Sequence, residues 1–140
     1  GLLPVLMELK SLSKDEVGAE NAYNQIRNYM HDIPSLFIYN AICVISDLSV
    51  NKAGTITSGL DRFMEWKTKD GSYENTTYAG FDTFYEGMFE KQRLLDIFKN
   101  FICFSESNHQ LTKILAGYHQ YFAVRKAVEK AKIATQTDGK

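Results

Sequence analysis

Apolar residues recur with different spacings along the chain, and these spacings predict strands and one helix in the N-terminal half and helices in the C-terminal half. The short apolar run at 2–9 predicts a strand, with Pro4 near its start, where a missing N–H is tolerated. Side chains alternate between the two faces of a strand, so Glu8 and Lys10 are predicted to share one face.

The next segment, 13–33, has the pattern of an amphipathic helix. Ser13 is the predicted N-cap, and Glu16, three residues later, completes a capping box. A 3.6-residue period gives this helix one sheet-facing stripe, which contains two polar side chains beside two apolar ones: Ala22, Gln25, Ile26 and Tyr29.

A nearly unbroken apolar run at 37–45 predicts a strand buried on both faces, as in the centre of a mixed or parallel sheet. We expect a turn at 51–54 to lead into a short returning strand at 55–57. The polar stretch 67–80 has no periodicity and predicts a linker or exposed loop.

Helical spacing dominates the C-terminal half. Apolar residues at 94, 97, 98, 101 and 102 predict one amphipathic helix, and those from 111 to 122 predict a second, separated by "SESNHQ". The predicted order is therefore strand, helix, strand, strand and then helices.

Composition limits what this fold can be. The 140 residues are 44% hydrophobic, enough for one globular core and short for two. The net charge of −1 gives no bulk attraction for nucleic acid, so DNA contact would need a local site. Cys43 and Cys103 lie in apolar runs and are predicted to be buried, reduced thiols of a cytosolic protein. We expect no signal peptide, and no apolar stretch reaches the roughly 18 residues of a spanning helix.

Glu8 and Lys10 are the first candidates for chemistry. Metal-dependent phosphodiester hydrolysis needs a carboxylate to hold the ion and a cation to stabilise the phosphate. The Glu-x-Lys pattern alone is also typical of a solvated strand end. Gln25 and Tyr29, on the inward stripe of the following helix, strengthen the first interpretation; alone they are typical of a helix edge and a packed Tyr. The three histidines show no zinc-ligand spacing with the cysteines.

A strand ending in Glu-x-Lys, followed by a helix with Gln-x-x-x-Tyr ("QIRNY"), resembles the PD-(D/E)xK nuclease core in the restriction (R) subunit of type I restriction-modification enzymes. Six stretches match in order: "GLLPVLMELK", "AYNQIRNY", "LFIYNAICVISD", "RFMEWKT", "LLDIFKNFICF" and "ILAGYHQYFAVRKAVEKA". The resemblance implies an α/β fold: a partial restriction-endonuclease-like core with a mixed sheet at 1–66, a polar linker at 67–90 and a helical segment at 91–140 leading toward the first motor domain.

The resemblance also implies roles for individual residues. Glu8 would be a ligand of Mg2+, with the Leu9 carbonyl as a further contact, and Lys10 would be the catalytic lysine. Gln25 and Tyr29 would support the site and engage DNA. The family's other metal-binding Asp lies upstream of the Glu, so we expect this chain to be an excised piece that is inactive alone.

At the C-terminal end, Gln120 in "YHQYF" resembles a Gln that reads the adenine of ATP, although an exposed helix residue is an equal alternative. The neighbouring cations Arg125, Lys126, Lys130 and Lys132 are typical of a solvated helix face, with phosphate contact by some of them as the alternative.

The intact subunit implied by this family is cytoplasmic and has no membrane role. It would translocate double-stranded DNA with ATP, cut it with Mg2+, and assemble with methyltransferase and specificity subunits. Two other functions stay open: a non-catalytic α/β protein-interaction module, in which Glu8 and Lys10 form only a surface ion pair, and a DNA-binding module without hydrolysis.

Overall fold

A computed structural model describes residues 2–10, 18–47, 49–72 and 80–136. Two short 3-10 turns, Pro34–Phe37 and Leu60–Arg62, accompany the main elements. In chain order these are β1 (Val5–Leu9), α1 (Ala19–Asp32), β2 (Ile42–Ser46), β3 (Asn51–Gly54), α2 (Phe81–Met88), α3 (Lys91–Asn100), β4 (Ile102–Ser107), β5 (Gln110–Leu115) and α4 (Tyr118–Ala134).

The N-terminal strands form a mixed sheet in the order β1-β2-β3. The central strand β2 runs parallel to β1 and antiparallel to β3, and all five of its residues are buried. The predicted central buried strand is therefore confirmed. It is shorter than predicted, because Phe37 belongs to a 3-10 turn that begins at Pro34, where the ring fixes φ.

The predicted order of the turn and the return strand was wrong. Asn51–Gly54 is the strand β3 itself, and the turn follows at Thr55–Ser58, where the Ser58 amide donates to the Thr55 carbonyl (3.0 Å). The reversal before β3 is made by Asp47, whose Oδ1 accepts the amide hydrogens of Ser49 (3.1 Å) and Val50 (2.6 Å). An Asp that closes an Asx turn directly after β2 leaves the next residues free to return as a strand.

Helix α1 packs against one face of the sheet. Its predicted inward stripe is confirmed, because Ala22 and Ile26 are each only 2% exposed. They pack in a cluster with Cys43, Ile45 and Phe63. The predicted capping pair Ser13 and Glu16 lies outside the described residues; the described helix begins at Ala19, after Gly18 in extended conformation.

The opposite face of the sheet is covered by the C-terminal half of the chain. The buried residues there come from the sheet, from the segment between β3 and α2, from α2 and α3, from β5 and from α4: Ile42, Val44, Ala53, Trp66, Phe84, Met88, Ile97, Leu115 and Tyr121. Helix α2 lies inside the stretch predicted as a linker. It approaches Trp66 closely at Gly87, where a Cβ atom would lie 2.5 Å from the indole ring, so only glycine fits.

The second predicted C-terminal helix was also wrong. Residues from Ile102 to Leu115 form an antiparallel hairpin, β4–β5, and only the apolar residues from Tyr118 onward are helical. Asn108 and His109 make its two-residue turn with φ of 50° and 61°. The residues Leu111, Ile114 and Leu115 match helical spacing by chance, but a strand can bury Leu115 opposite Ile102 equally well.

Two further sequence predictions are decided by the described residues. Cys43 is buried as predicted, whereas Cys103 is exposed on the hairpin; both are free thiols. Among the described residues, no helix combines the length and the apolar character needed to cross a bilayer.

Candidate functional site

Strand β1 directs its two polar side chains toward the side of the sheet that α1 covers. Leu6 packs against the cluster around Ile26, so Glu8 and Lys10, two and four residues later, face the same side. Lys10 Nζ lies 2.8 Å from Glu8 Oε1, and the two side chains are 26% and 13% exposed. The shared face expected from alternation is thus observed, with the carboxylate and the ammonium in contact.

The parallel register fixes the pair at the carboxyl end of β1. Glu8 lies opposite Ile45, and the Lys10 amide donates to the Ser46 carbonyl (2.8 Å), so the strand pairing extends through Lys10. Beyond Ser46, the Asp47 carboxylate is committed to the turn that it closes. The pair therefore occupies a fixed edge of the sheet, next to a tightly hydrogen-bonded turn.

Gln25 and Tyr29 lie on the helix that covers this face. Both are half-buried beside the stripe formed by Ala22 and Ile26, and Tyr29 packs against the cluster around Ile26. Among the described residues, no hydrogen bond joins either side chain to Glu8 or Lys10. The structure thus places all four residues on one side of the sheet, and it brings only Glu8 and Lys10 into contact.

Glu8 has the chemistry of a ligand for a hard divalent cation, because Mg2+ prefers carboxylate and carbonyl oxygens and takes only one or two carboxylates from a protein. Within the described part of the chain, no group of three or more His, Cys, Asp or Glu side chains could hold a metal ion. Glu8 therefore fits as one ligand of Mg2+ and cannot form the whole site with these residues.

Sequence reasoning missed that the Glu-x-Lys pattern occurs twice. In "FMEWK", Lys67 Nζ lies 2.9 Å from Glu65 Oε2, and this hydrogen bond raises the pKa of Lys67 above its ordinary value. Met64 pairs with Ala53 through two backbone hydrogen bonds of 2.9 Å, so this segment borders β3 at the far side of the sheet. The repeat of the sequence Met-Glu-x-Lys could have revealed this second pair.

The second pair borders a cleft of about 430 Å³. Its lining is mixed in charge: Lys52, Phe63, Met64, Glu65, Lys67, Gly117, Tyr118 and His119. Local geometry alone thus does not distinguish the two Glu-x-Lys pairs.

Gln120 lies at the start of α4, exposed to solvent. Its Oε1 accepts the Gly117 amide hydrogen (2.9 Å), which caps the first turn of the helix. It also borders a cleft of about 470 Å³ together with Arg62 and Lys113. The nearby Trp66 is only 3% exposed and packs against Tyr121, so it is a core anchor rather than an open stacking surface.

The family model that matches this chain covers only the first of the two pairs. The family model "Type I restriction enzyme R protein N terminus" matches residues 1–62, a range that contains Glu8, Lys10, Gln25 and Tyr29 but not Glu65 or Lys67.

Relatives match nearly the whole chain. The endonuclease subunit of the type I restriction enzyme HindI from Haemophilus influenzae is 32% identical over 143 residues, covering 99% of this chain and 14% of the relative. A Methanocaldococcus jannaschii protein whose name assigns it to the type I enzyme MjaIXP, as endonuclease subunit, is 30% identical, covering 93% of this chain and 14% of the relative. A second protein of that organism, assigned by name to MjaVIIIP, is also 30% identical, with 93% and 12% covered.

The chain thus spans about 14% of the length of the first two relatives. The same ordered segments that form β1, α1 and β2 carry the family match, and the alignment to the relatives continues through the C-terminal helices. By the family match at 1–62 and by these relatives, the chain is similar to one part of the R (endonuclease) subunits of type I restriction enzymes.

Proposed function

We propose that this chain carries part of the DNA-cleaving site of a type I restriction enzyme, built on a PD-(D/E)xK core in which Glu8 and Lys10 are catalytic. The observation that supports it best is the contact of 2.8 Å between these two side chains, at the end of a buried parallel strand pair and within the range matched by the R-protein family model. The mixed sheet with α1 on one face is compatible with this core.

Each residue has a role that follows from its chemistry. Glu8 would hold Mg2+, which would supply Lewis-acid stabilisation of the scissile phosphate. Lys10, held beside Glu8, would orient the attacking water and stabilise the negative charge that develops on the phosphate oxygens. Gln25 and Tyr29, on the helix that covers the same face of the sheet, would support this arrangement and contact DNA.

The larger assembly is part of the same proposal. The complete subunit would be a cytoplasmic protein that moves double-stranded DNA with ATP and cuts it with Mg2+, working with methyltransferase and specificity subunits. Gln120 would contact the adenine of ATP. Its exposure supports this role, and its carboxamide NH2 has no hydrogen-bond partner among the described residues while Oε1 caps the helix.

The main alternative is a non-catalytic interaction or DNA-binding module, in which Glu8 and Lys10 are an ordinary ion pair. The pair Glu65–Lys67 shows that this chain can form such a contact elsewhere, at nearly the same distance. A test must therefore compare the two pairs.

The test uses the complete subunit in its assembled enzyme. Glu8→Gln and Lys10→Ala should each abolish DNA cleavage while ATP hydrolysis persists, because both changes act on the phosphate-cleaving groups alone. Glu65→Gln is the matched control, since it removes a carboxylate from the same pattern and the same contact. Cleavage that survives Glu8→Gln, or that is lost equally in Glu65→Gln, would contradict the proposal.

A further inference from the structure

The first half of helix α4 packs against the core, and its second half extends away from the core. Tyr121 donates its hydroxyl hydrogen to Asp96 Oδ2 (3.0 Å), and the guanidinium of Arg93 lies 5.2 Å from the centre of the Phe122 ring. From Ala123 onward, every described residue of the helix is exposed. The second half is therefore a rigid extension from the core that offers most of its surface.

This extension concentrates positive charge. It contains four cations and one carboxylate: Arg125, Lys126, Lys130, Lys132 and Glu129. The helix thus carries a net +3, whereas the whole chain carries −1, so all other residues together carry −4. A charge asymmetry of this size creates a local field that the bulk composition conceals.

Most of these cations have no partner among the residues that the structure describes. Arg125 Nε lies 3.4 Å from Asp96 Oδ2, which fixes it against α3. Lys126, Lys130 and Lys132 make no hydrogen bond or ion pair with any other residue that the structure describes. Lys126 and Lys130 are one turn apart on one line of the helix, about 6 Å along its axis. That spacing is close to the rise of two nucleotides on one DNA strand, about 7 Å.

We propose that the basic face formed by Lys126 and Lys130 contacts the phosphates of duplex DNA. The inference rests on the proposed function, which supplies DNA as the partner. An anionic membrane fits less well, because interfacial helices insert Trp, Phe or Leu, whereas the side of α4 opposite Lys126 and Lys130 presents the shorter Val124 and Val128.

The experiment measures binding of a fluorescein-labelled duplex to this chain by anisotropy, between 50 and 200 mM salt. Each phosphate contact changes the slope of log K against log[salt] by about 0.9, so Lys126→Gln with Lys130→Gln should make the slope less steep by about 1.8. Glutamine keeps the helix, because its helix propensity is close to that of lysine.

A matched control removes the same charge elsewhere. Lys91→Gln with Lys99→Gln changes two exposed lysines of α3 and should leave the slope nearly unchanged. If both double variants made the salt slope less steep by the same amount, only net charge would matter and the proposal would be overturned. Absence of DNA binding by the unmodified chain at 50 mM salt would overturn it too, as would binding to phosphatidylserine vesicles that depends on Lys126 and Lys130 while DNA binding does not.

The experiments distinguish failure of this inference from failure of the nuclease proposal. If Glu8→Gln leaves cleavage intact in the complete subunit while the α4 slope changes as expected, only the nuclease assignment fails. If cleavage is lost as expected and the α4 variants behave like their control, only the α4 inference fails.

Discussion

Lys10 Nζ and Glu8 Oε1 are 2.8 Å apart at the end of β1, beside the completely buried strand β2. Its two side chains remain 26% and 13% exposed, and the sheet around it is stabilised by apolar burial on both faces. We therefore expect the sheet to depend little on the groups proposed for chemistry.

This separation predicts a small cost in stability for removing the pair. Lys10→Ala should lower the free energy of unfolding of this chain by no more than about 1 kcal/mol, because partly exposed ion pairs contribute little. Ile45→Ala, at the buried position opposite Glu8, should cost about 2–5 kcal/mol through the cavity that it leaves. Urea unfolding followed by circular dichroism measures both. A loss from Lys10→Ala as large as that from Ile45→Ala would mean that the pair is structural.

The junction between α3 and α4 predicts a dependence of stability on pH. Partial burial raises the pKa of Asp96, but hydrogen bonds from Asn100 and Tyr121 and the charge of Arg125 outweigh this effect, so its pKa lies below the ordinary 3.8. A lowered folded-state pKa means that the carboxylate stabilises the fold above pH 3.8, and that this contribution is lost as pH falls through the lowered value.

Asp96→Asn should therefore destabilise the chain by about 1 kcal/mol at pH 7, since it weakens charge-assisted hydrogen bonds. The difference from the unmodified chain should shrink at pH values below 3.8. The measurement is reversible thermal unfolding across pH 2–7. Asp61→Asn, at an exposed carboxylate, is the control and should show no such convergence. If the difference in stability between Asp96→Asn and the unmodified chain stayed constant in acid, the role given to Asp96 would be ruled out.

The two thiols predict a simple chemical difference. Burial raises the pKa of Cys43 to about 12, against a smaller opposing effect of Lys113. Its thiolate is therefore scarce at neutral pH and is also shielded from reagents, whereas Cys103 is exposed on β4. Ellman's reagent should modify one thiol per native chain at pH 8 and two after unfolding in urea. Cys103→Ser should remove the rapid reaction; rapid modification that persists in this variant would contradict the burial of Cys43.

How much of this fold the sequence could reveal depends on which contacts specify each element. The alternation in β1 and the stripe on α1 are local patterns, and both predicted the faces of Glu8, Lys10, Ala22 and Ile26 correctly. Two of the six stretches that carry the family resemblance, those with Glu-x-Lys and Gln-x-x-x-Tyr, lie in the same segments. Local patterns succeed there because the period of each element alone fixes which of its residues share a face.

The errors occurred where distant contacts decide the structure. Helical spacing at Leu111 and Leu115 gave way to a hairpin because Thr55 and Thr57 donate their hydroxyl hydrogens to the Lys113 carbonyl (2.7 and 3.0 Å) from more than fifty residues away. The segment read as a linker contains α2 because Phe84 and Met88 bury against the sheet. Neither contact is visible in a window of neighbouring residues.

The turn of this hairpin gives a final prediction, because its backbone conformation does not suit one of its residues. Asn108 and His109 both have positive φ (50° and 61°), as a two-residue type I′ turn requires. Asn tolerates this left-handed region, whereas His pays a steric cost that glycine avoids. His109→Gly should raise the free energy of unfolding by about 0.5–1 kcal/mol, since the relief of strain exceeds the added freedom of the unfolded chain. Asn108→Gly is the matched control and should change stability less. If His109→Gly lowers stability in urea unfolding while Asn108→Gly is neutral, the histidine side chain must contribute a contact that outweighs its backbone strain.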